Sequence, residues 1–332
     1  VMVDKKIGVL LVNLGSPAAP TVPAVRKFLK DFLWDKRVVN IPRPIWWMIL
    51  HGFVLPFRPK KSLEAYTKIW DSHKGSPLTY LTHQLTENVS KKLEPQGILV
   101  ECAMSYGEPS IPSQLRHFKE QGVTDFVILP LYPQYSSTTT ASVYDSLIKE
   151  FNTWWHLPNF RLISDYHQNT AYIAALAESV QAAWRERPKN EVLVMSFHGL
   201  PAMLTKKGDP YFHQCHKTGQ LLADKLGLKE HEWRLVFQSR FGKAEWLKPY
   251  CVEVLEQLPK DGVKSVDVIC PGFAVDCLET LEEIAMENRH VFLEAGGNGY
   301  HYIRALNDSH ANVDVLIDVL TNGGFSDKKE TK

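Results

Sequence analysis

The residues best suited to chemistry lie in two short stretches. His198 sits in Ser196-Phe-His-Gly-Leu-Pro201, directly after an apolar run that ends at Ser196. Gly199 and Pro201 force a turn there, so the imidazole is presented at the carboxyl end of a strand, the edge where open α/β sheets bind ligands. A lone histidine serves as a structural residue as readily as a ligand, and the pattern alone leaves the two readings level. The second stretch is Pro271-Gly-Phe-Ala-Val-Asp-Cys-Leu-Glu-Thr-Leu-Glu-Glu-Ile-Ala-Met-Glu287. Glu279, Glu283 and Glu287 are spaced i, i+4, i+8 and share one helix face, where like charges repel. A solvated acidic face is the ordinary explanation for such a run and accounts for Glu282. Glu279, however, falls in the first turn after a Pro-Gly loop, with Asp276 beside it. A carboxylate row at that place suits a divalent-cation path or a proton relay. His198 and Glu279 together suit weak, open coordination of Fe²⁺ or a similar borderline ion. They are too few for a closed structural site.

The elements that must position these groups alternate along the chain. Strand candidates are Ile7–Val12, Ile98–Ala103, Phe126–Leu131, Glu191–Ser196, Arg234–Phe237 and Ser265–Cys270. Helical patterns cover Leu81–Leu93, Ala141–Phe151, Ala171–Arg185, Phe212–Leu226 and Pro249–Leu258. This alternation predicts α/β architecture with parallel, doubly wound sheets. The chain also echoes itself. Val9-Leu-Leu-Val-Asn-Leu-Gly-Ser-Pro17 resembles the His198 stretch, Cys102-Ala-Met-Ser-Tyr-Gly107 resembles Val236-Phe-Gln-Ser-Arg-Phe-Gly242, and Phe126-Val-Ile-Leu-Pro130 resembles Val266-Asp-Val-Ile-Cys-Pro271. The pairs keep the same order, which predicts two similar α/β halves facing each other across a cleft. The first domain is expected over 1–165, completed by a C-terminal helix over 308–332, and the second over 166–307.

The first half carries an insertion between its first two strands, and long insertions are where loops acquire function. Within 36–61 lies Ile45-Trp-Trp-Met-Ile-Leu-His-Gly-Phe-Val-Leu-Pro-Phe57, flanked by Lys36, Arg37, Arg43, Arg58, Lys60 and Lys61. The stretch reads equally as a buried helical hairpin or as an aromatic lip over a flat apolar ligand or a lipid surface. On the second reading, Trp46 and Trp47 beside the basic residues would carry reversible association with anionic vesicles.

Composition narrows the class. Lys plus Arg number 38 against 37 Asp plus Glu, a balance that lacks the basic excess of a nucleic-acid binder. The cysteines, Cys102, Cys215, Cys251, Cys270 and Cys277, are odd in number and form no C-x-x-C pair. That excludes a disulfide framework or zinc knuckle and fits a reducing compartment. Val1 to Lys6 runs straight into a strand-like segment with no signal-peptide pattern. The longest apolar run, Ile45 to Phe57, is shorter than the ~20 residues of a bilayer-spanning helix. The expected location is cytoplasmic, with peripheral contact at the inner membrane. Tyr132-Pro-Gln-Tyr-Ser-Ser-Thr-Thr-Thr-Ala141 follows a strand and could cap a helix or hold an anion. No G-x-G-x-x-G, Walker A or G-x-S-x-G motif is present, so nucleotide and serine-hydrolase chemistry lack their fingerprints.

Six motifs in order resemble the ferrochelatase family: Val12-Asn-Leu-Gly-Ser-Pro17, Leu131-Tyr-Pro-Gln-Tyr-Ser136, Ser196-Phe-His-Gly-Leu-Pro201, Gly208-Asp-Pro-Tyr211, Phe237-Gln-Ser-Arg240 and Pro271 to Leu281. The resemblance runs from about residue 7 to about residue 310. It implies a lyase that inserts Fe²⁺ into protoporphyrin IX with release of two protons, the last step of haem synthesis, with the porphyrin between two Rossmann-like halves. By correspondence, His198 and Glu279 form the facing pair for metal binding and proton removal, and Glu283 and Glu287 line a path from the surface. Leu14, Phe32, Val38, Tyr66, Tyr106, Tyr132, Leu200 and Phe237 correspond to apolar walls. Arg58 and Lys61 resemble residues that hold the propionates, helped by Ser76 and Thr138. This chain departs from some relatives at Ser105, where they carry arginine, at Cys277, where they carry histidine, and at Phe237, where they carry tryptophan. No cysteine follows Cys277 and Ser137 stands at the upstream ligand position of the cluster-holding relatives. No [2Fe–2S] cluster and no other tightly bound cofactor is therefore expected, with Fe²⁺ as substrate only. The competing readings are a non-catalytic porphyrin or haem carrier, and a chelatase for coproporphyrin or for Co²⁺ or Ni²⁺.

Overall fold

The computed structural model describes residues 5–242 and 244–325. Two compact units share them. Unit 1 comprises Val1–Tyr132, Ser136–Asp165 and Leu316–Lys332, and unit 2 comprises Pro133–Tyr135 and Tyr166–Val315. The chain thus returns to unit 1 from Leu316, not from residue 308. The helix His310–Val319 and a π-helical turn, Leu320–Gly324, stand where the closing helix is expected. Residues 1–4 and 326–332, ends of two sequence expectations, lie outside the described residues.

Each unit holds one four-stranded parallel sheet. In unit 1, β1 (Ile7–Asn13), β2 (Leu99–Met104), β3 (Asp125–Pro130) and β4 (Asn159–Leu162) lie in the order β2-β1-β3-β4. In unit 2, β5 (Val192–His198), β6 (Trp233–Gln238), β7 (Ser265–Ile269) and β8 (Gly299–Ile303) repeat it as β6-β5-β7-β8. The central strands β1 and β5 are buried almost throughout, as apolar runs covered on both faces must be. The edge strands β4 and β8 are short and largely uncovered. Their sequences, Asn-Phe-Arg-Leu and Gly-Tyr-His-Tyr-Ile, lack the apolar run by which the other six are recognised.

Both sheets are closed at their carboxyl edge by the same device. After β1, the Ser105 N–H donates to Asn13 O at 2.8 Å and the Tyr106 N–H to Leu14 O at 2.9 Å. Gly15 has φ +102°, and a Cβ there would meet Tyr106 O at 1.8 Å. After β5, the Gly199 N–H donates to Gln238 O at 2.7 Å, and a Cβ on Gly199 would lie 2.5 Å from that oxygen. Only glycine permits such an approach.

The insertion of unit 1 is one continuous helical segment rather than a hairpin. It runs as an α-helix over Arg43–Ile49, a π-turn over Leu50–Val54 and an α-helix over Leu55–Ile69. Trp46, Leu50, Leu55 and Tyr66 are buried on one side, and the Trp46 indole N–H donates to Leu33 O at 2.7 Å. Ile45, Trp47, Met48, Phe53 and Phe57 are exposed. One face of the segment is buried, and the other leaves large apolar side chains exposed. Among the described residues, no helix is long and apolar enough to cross a membrane.

A buried carboxylate pins the β7 strand. Asp267, 1% exposed, accepts from Trp184 Nε1 at 2.7 Å, Arg187 Nη2 at 2.6 Å and Asn190 Nδ2 at 2.8 Å. Removing one partner of a buried ion pair costs about 3–5 kcal/mol, because the others stay desolvated. Asp267→Ala is expected to lose about that much in urea unfolding. A loss below about 1 kcal/mol would show that water replaces the carboxylate.

Candidate active site

His198 is the last residue of β5 and pairs in register with Gln238, the last of β6. Register partners in parallel strands point to the same face, as do residues two apart. Ser196, His198 and Gln238 therefore share one face, and the Ser196 hydroxyl donates to Gln238 Oε1 at 2.9 Å. The His198 ring is fixed from behind. Its Nδ1 lies 2.6 Å from Gly199 O, and a carbonyl only accepts, so Nδ1 carries the proton. Nε2 is left with its lone pair for a metal or a proton. The Tyr211 hydroxyl donates to His198 O at 2.9 Å, tying the strand end to the helix Tyr211–Leu226.

The carboxylate row stands on a π-helix, Glu279–Asn288, where the spacing predicts an ordinary α-helix. Bonds from i to i+5 widen the turn, and carbonyls of this helix also accept from side-chain donors. Three are used. Gln238 Nε2 donates to Glu279 O at 3.0 Å, Asn288 Nδ2 to Glu283 O at 3.0 Å and the Tyr300 hydroxyl to Ile284 O at 2.6 Å. Glu279 and Glu283 are half-buried and Glu287 is exposed, so the row grades from inside to solvent. Glu282 is 5% exposed, which corrects its reading as part of a solvated face.

Glu283 is the most tightly held of the row. Its Oε1 accepts from the Ser239 N–H at 2.7 Å, and its Oε2 from the Ser239 hydroxyl at 2.5 Å and Gln238 Nε2 at 3.1 Å. Burial pushes its carboxyl up; the Ser239 bond, the charge of His198 and the Gln238 bond pull it back, and Glu279 raises it. Burial is the largest influence, so the carboxyl lies above its ordinary range. Cys277, 3% exposed, lies against Glu279. Burial, then the charge and hydrogen bond of Glu279, hold its thiol well above the usual range.

Asp276 is committed to structural hydrogen bonds rather than offered to a metal ion. It is fully buried, and its oxygens accept from Thr280 Oγ1 at 2.9 Å, the Tyr302 hydroxyl at 2.7 Å, Arg304 Nε at 2.9 Å and Asn307 Nδ2 at 2.9 Å. Those donors use its lone pairs. Its task is to anchor the loop from which the π-helix starts. Among the described residues, no group of three or more His, Cys, Asp or Glu side chains is arranged to hold a metal ion.

The remaining expected site residues separate by burial. In unit 1, Leu14 follows β1 directly, and Tyr106 and Tyr132 follow β2 and β3 with one residue between. Leu14, Phe32, Val38, Tyr132 and Thr138 are half-buried. The Phe32 and Tyr106 rings meet edge to face at 5.2 Å, and the Tyr106 hydroxyl donates to Asp35 Oδ2 at 2.6 Å. The Thr138 hydroxyl lies 2.9 Å from that of Ser136. Tyr66 and Ser76 are buried, which makes them supports rather than walls. Arg58 is half-buried, and burial lowers its pKa, while Lys61 is exposed. In unit 2, Leu200 is half-buried beside His198. Phe237 is 1% exposed and corrects the expectation of a wall: its ring packs on Phe212 at 5.8 Å and Phe197 at 6.5 Å, inside the core. Sequence reasoning assigned no role to Gln238 or Ser239. The signal was their place at the carboxyl end of β6, beside the strand that ends in His198.

With this geometry in hand, comparison with known proteins is direct. The ferrochelatase family model matches residues 6–323. A ferrochelatase of Polaromonas sp. is 53% identical over 312 residues, covering 93% of this chain and 85% of its own. One from Methylococcus capsulatus is 50% identical over 315 residues, covering 95% and 96%. One from Marinobacter nauticus is 49% identical over 318 residues, covering 95% and 86%. Among solved structures, SirB from Bacillus subtilis with Fe³⁺ superposes with TM-score 0.55 at 12% identity, covering 97% of this chain and 99% of that one. CbiX, described as the terminal enzyme for siroheme biosynthesis in denitrifying bacteria, gives TM-score 0.53 at 12% identity, covering 95% and 98%. At such identities these two attest the fold alone. Family match and near-half identity over almost the whole chain agree with the His198 and Glu279 motifs, and the chain belongs to the ferrochelatase family.

Proposed function

We propose that this chain is a lyase that inserts Fe²⁺ into protoporphyrin IX, with His198 and Glu279 as the reacting pair and Glu283 and Glu287 as the route between site and solvent. The observation that supports this most directly is the His198 imidazole. Its Nδ1 is engaged by Gly199 O, and its strand neighbour Gln238 reaches both the Glu279 backbone and the Glu283 carboxylate.

The reaction makes two demands. Two pyrrole N–H protons must leave the macrocycle, and a hydrated ion must lose its water to enter. A bent ring exposes its nitrogen lone pairs, at a cost met by binding contacts away from the reacting centre. The half-buried Leu14, Phe32, Val38, Tyr132 and Leu200 offer apolar surface for such contacts. Arg58 and Lys61 supply charge for the propionates, where charge-assisted bonds are strong. One imidazole and one carboxylate bind iron weakly enough to release it into the ring. The same two groups, or Glu283 behind them, accept the protons. A carboxylate row that runs outward lets protons leave without passing through apolar surface.

The reading includes no resident iron–sulfur cluster. All five cysteines are buried and unpaired by disulfides, and burial raises each thiol above its ordinary pKa, whereas cluster ligands must be thiolates.

The reading also includes reversible docking of the lip on an anionic lipid surface. Trp47, Met48, Phe53 and Phe57 are between 54% and 72% exposed, and Lys36, Lys60 and Lys61 are exposed nearby in sequence. Arg37 does not contribute, since it forms a bidentate pair with Asp145 at 2.8 and 3.1 Å. Trp46 does not either, since it is buried.

Anaerobic turnover of protoporphyrin IX with Fe²⁺, followed by absorbance, tests the chemistry. The wild type is expected to make haem, with His198→Ala and Glu279→Gln each slower by about a hundred-fold or more, the scale of a lost acid–base group. Porphyrin binding without insertion by the wild type would refute the activity; full rates in both variants would refute the assigned pair. Flotation with phosphatidylglycerol-containing vesicles tests the lip. Trp47→Ala, Phe53→Ala and Phe57→Ala combined are expected to cut partitioning by about ten-fold or more, since a large apolar side chain contributes about 1.5 kcal/mol or more when buried. Unchanged flotation would remove the lipid surface as partner.

A further inference from the structure

We propose that Gln238 and Ser239 are positioning residues for metal insertion, a clamp that fixes the Glu283 carboxylate against the first turn of the π-helix, on the face that carries His198. This rests on the activity proposed above and adds two residues to its machinery.

The Gln238 amide acts as an adaptor with a single allowed orientation. Its Oε1 accepts from the Ser196 hydroxyl at 2.9 Å, with the Cys270 thiol at 3.7 Å. Ser196 and Cys270 are both buried. With the oxygen engaged by these donors, Nε2 must face the π-helix. There its two protons are both used, one on Glu279 O and one on Glu283 Oε2. A single amide thus joins the backbone of one acidic residue to the carboxylate of the next.

Ser239 completes the grip. It has φ +64°, a region that residues other than glycine avoid. In that conformation its N–H and its hydroxyl both reach the same carboxylate, one oxygen each. Glycine would adopt the backbone freely but lacks the hydroxyl. With three donors on two oxygens, Glu283 cannot rotate about its last bond. Its remaining lone pairs keep one direction. Proton acceptance at a fixed acceptor avoids reorganisation at the moment of reaction.

The clamp also explains how the wide turn persists. An α-helical register would offer Glu279 O to the N–H of Glu283. Gln238 supplies that oxygen with a donor from outside, and the next strand but one supplies Tyr300 to Ile284 O.

A double-mutant cycle tests the proposal, because residues acting through one another are non-additive. In the anaerobic insertion assay, Gln238→Leu is expected to lower kcat by about ten-fold or more, with the porphyrin KM within about two-fold of wild type. Ser239→Gly keeps the backbone and loses only the hydroxyl; about a three-fold or greater fall in kcat is expected. Adding Gln238→Leu to Glu283→Gln is expected to slow the enzyme no further than Glu283→Gln alone. Multiplied losses in the double variant, or full kcat in both Gln238→Leu and Ser239→Gly, would overturn the clamp. The same cycle read in urea unfolding, on the four proteins without substrate, should show non-zero coupling. If the wild type inserts no metal, the proposed activity falls, whereas zero coupling in unfolding defeats the clamp whatever the activity.

Discussion

The candidate site depends on one backbone contact, the hydrogen bond from the Gly199 N–H to Gln238 O at 2.7 Å. It brings the ends of β5 and β6 so close that no side chain fits at Gly199. His198 and Gln238 are thereby locked in register, one on each side of the contact. A slip of one residue would turn both side chains to the opposite face of the sheet. His198 would then lose its companion, and Gln238 could not reach the π-helix. The imidazole, the amide and the carboxylates are separate in sequence by some 40 residues each; this contact makes their spacing a property of the sheet rather than of any loop.

The same frame occurs twice with different cargo. Unit 1 closes β1 and β2 by the equivalent approach of Gly15 to Tyr106 O, and its strand order matches that of unit 2. At the carboxyl edge of unit 1 the chain places Leu14, Tyr106 and Tyr132, apolar or aromatic groups. At the corresponding edge of unit 2 it places His198, Ser239 and the loop leading to Glu279. A sheet fixes where its strand ends lie but not which residues occupy them, so one architecture carries apolar and aromatic groups at this edge in one unit and polar and ionisable groups in the other. The insertion, present only in unit 1, adds the exposed aromatic helix to the apolar edge.

Much of this was legible in the sequence because burial on both faces leaves a continuous apolar run. β1, β2, β3, β5, β6 and β7 were all recognisable for that reason, and the ordered echo among them revealed the repeated topology. β4 and β8 were not, since neither strand is buried along its length and neither sequence carries such a run. His198 was legible from the turn that follows it, and the glutamates from their spacing. The type of helix was not. An i, i+4, i+8 row fits α and π geometry alike, and the choice depends on Gln238, Asn288 and Tyr300, of which Gln238 and Tyr300 come from other strands. Asp276 and Phe237 were misjudged for a related reason. A carboxylate beside a site and an aromatic at a strand end look functional until their partners are known; Arg304, Tyr302 and Asn307 consume the first, and Phe212 covers the second.

The acidic row itself shows why a π-turn serves better than a plain helix. Stacked carboxylates repel, and burying any of them adds desolvation to that repulsion. Glu287 avoids both costs by lying in solvent. Glu283 is half-buried and needs donors; the amides of its own helix are committed to the backbone, so the donors come from Gln238 and Ser239. Gln238 and Tyr300 also donate to carbonyls of the wide turn, which brings those side chains against the helix. The amide that reaches Glu279 O then lies beside the Glu283 carboxylate and donates to both. The irregular helix and the held carboxylate therefore have a single origin. A chain that regularised this turn would shift Glu279 O from Gln238 and loosen its hold on the Glu283 carboxylate.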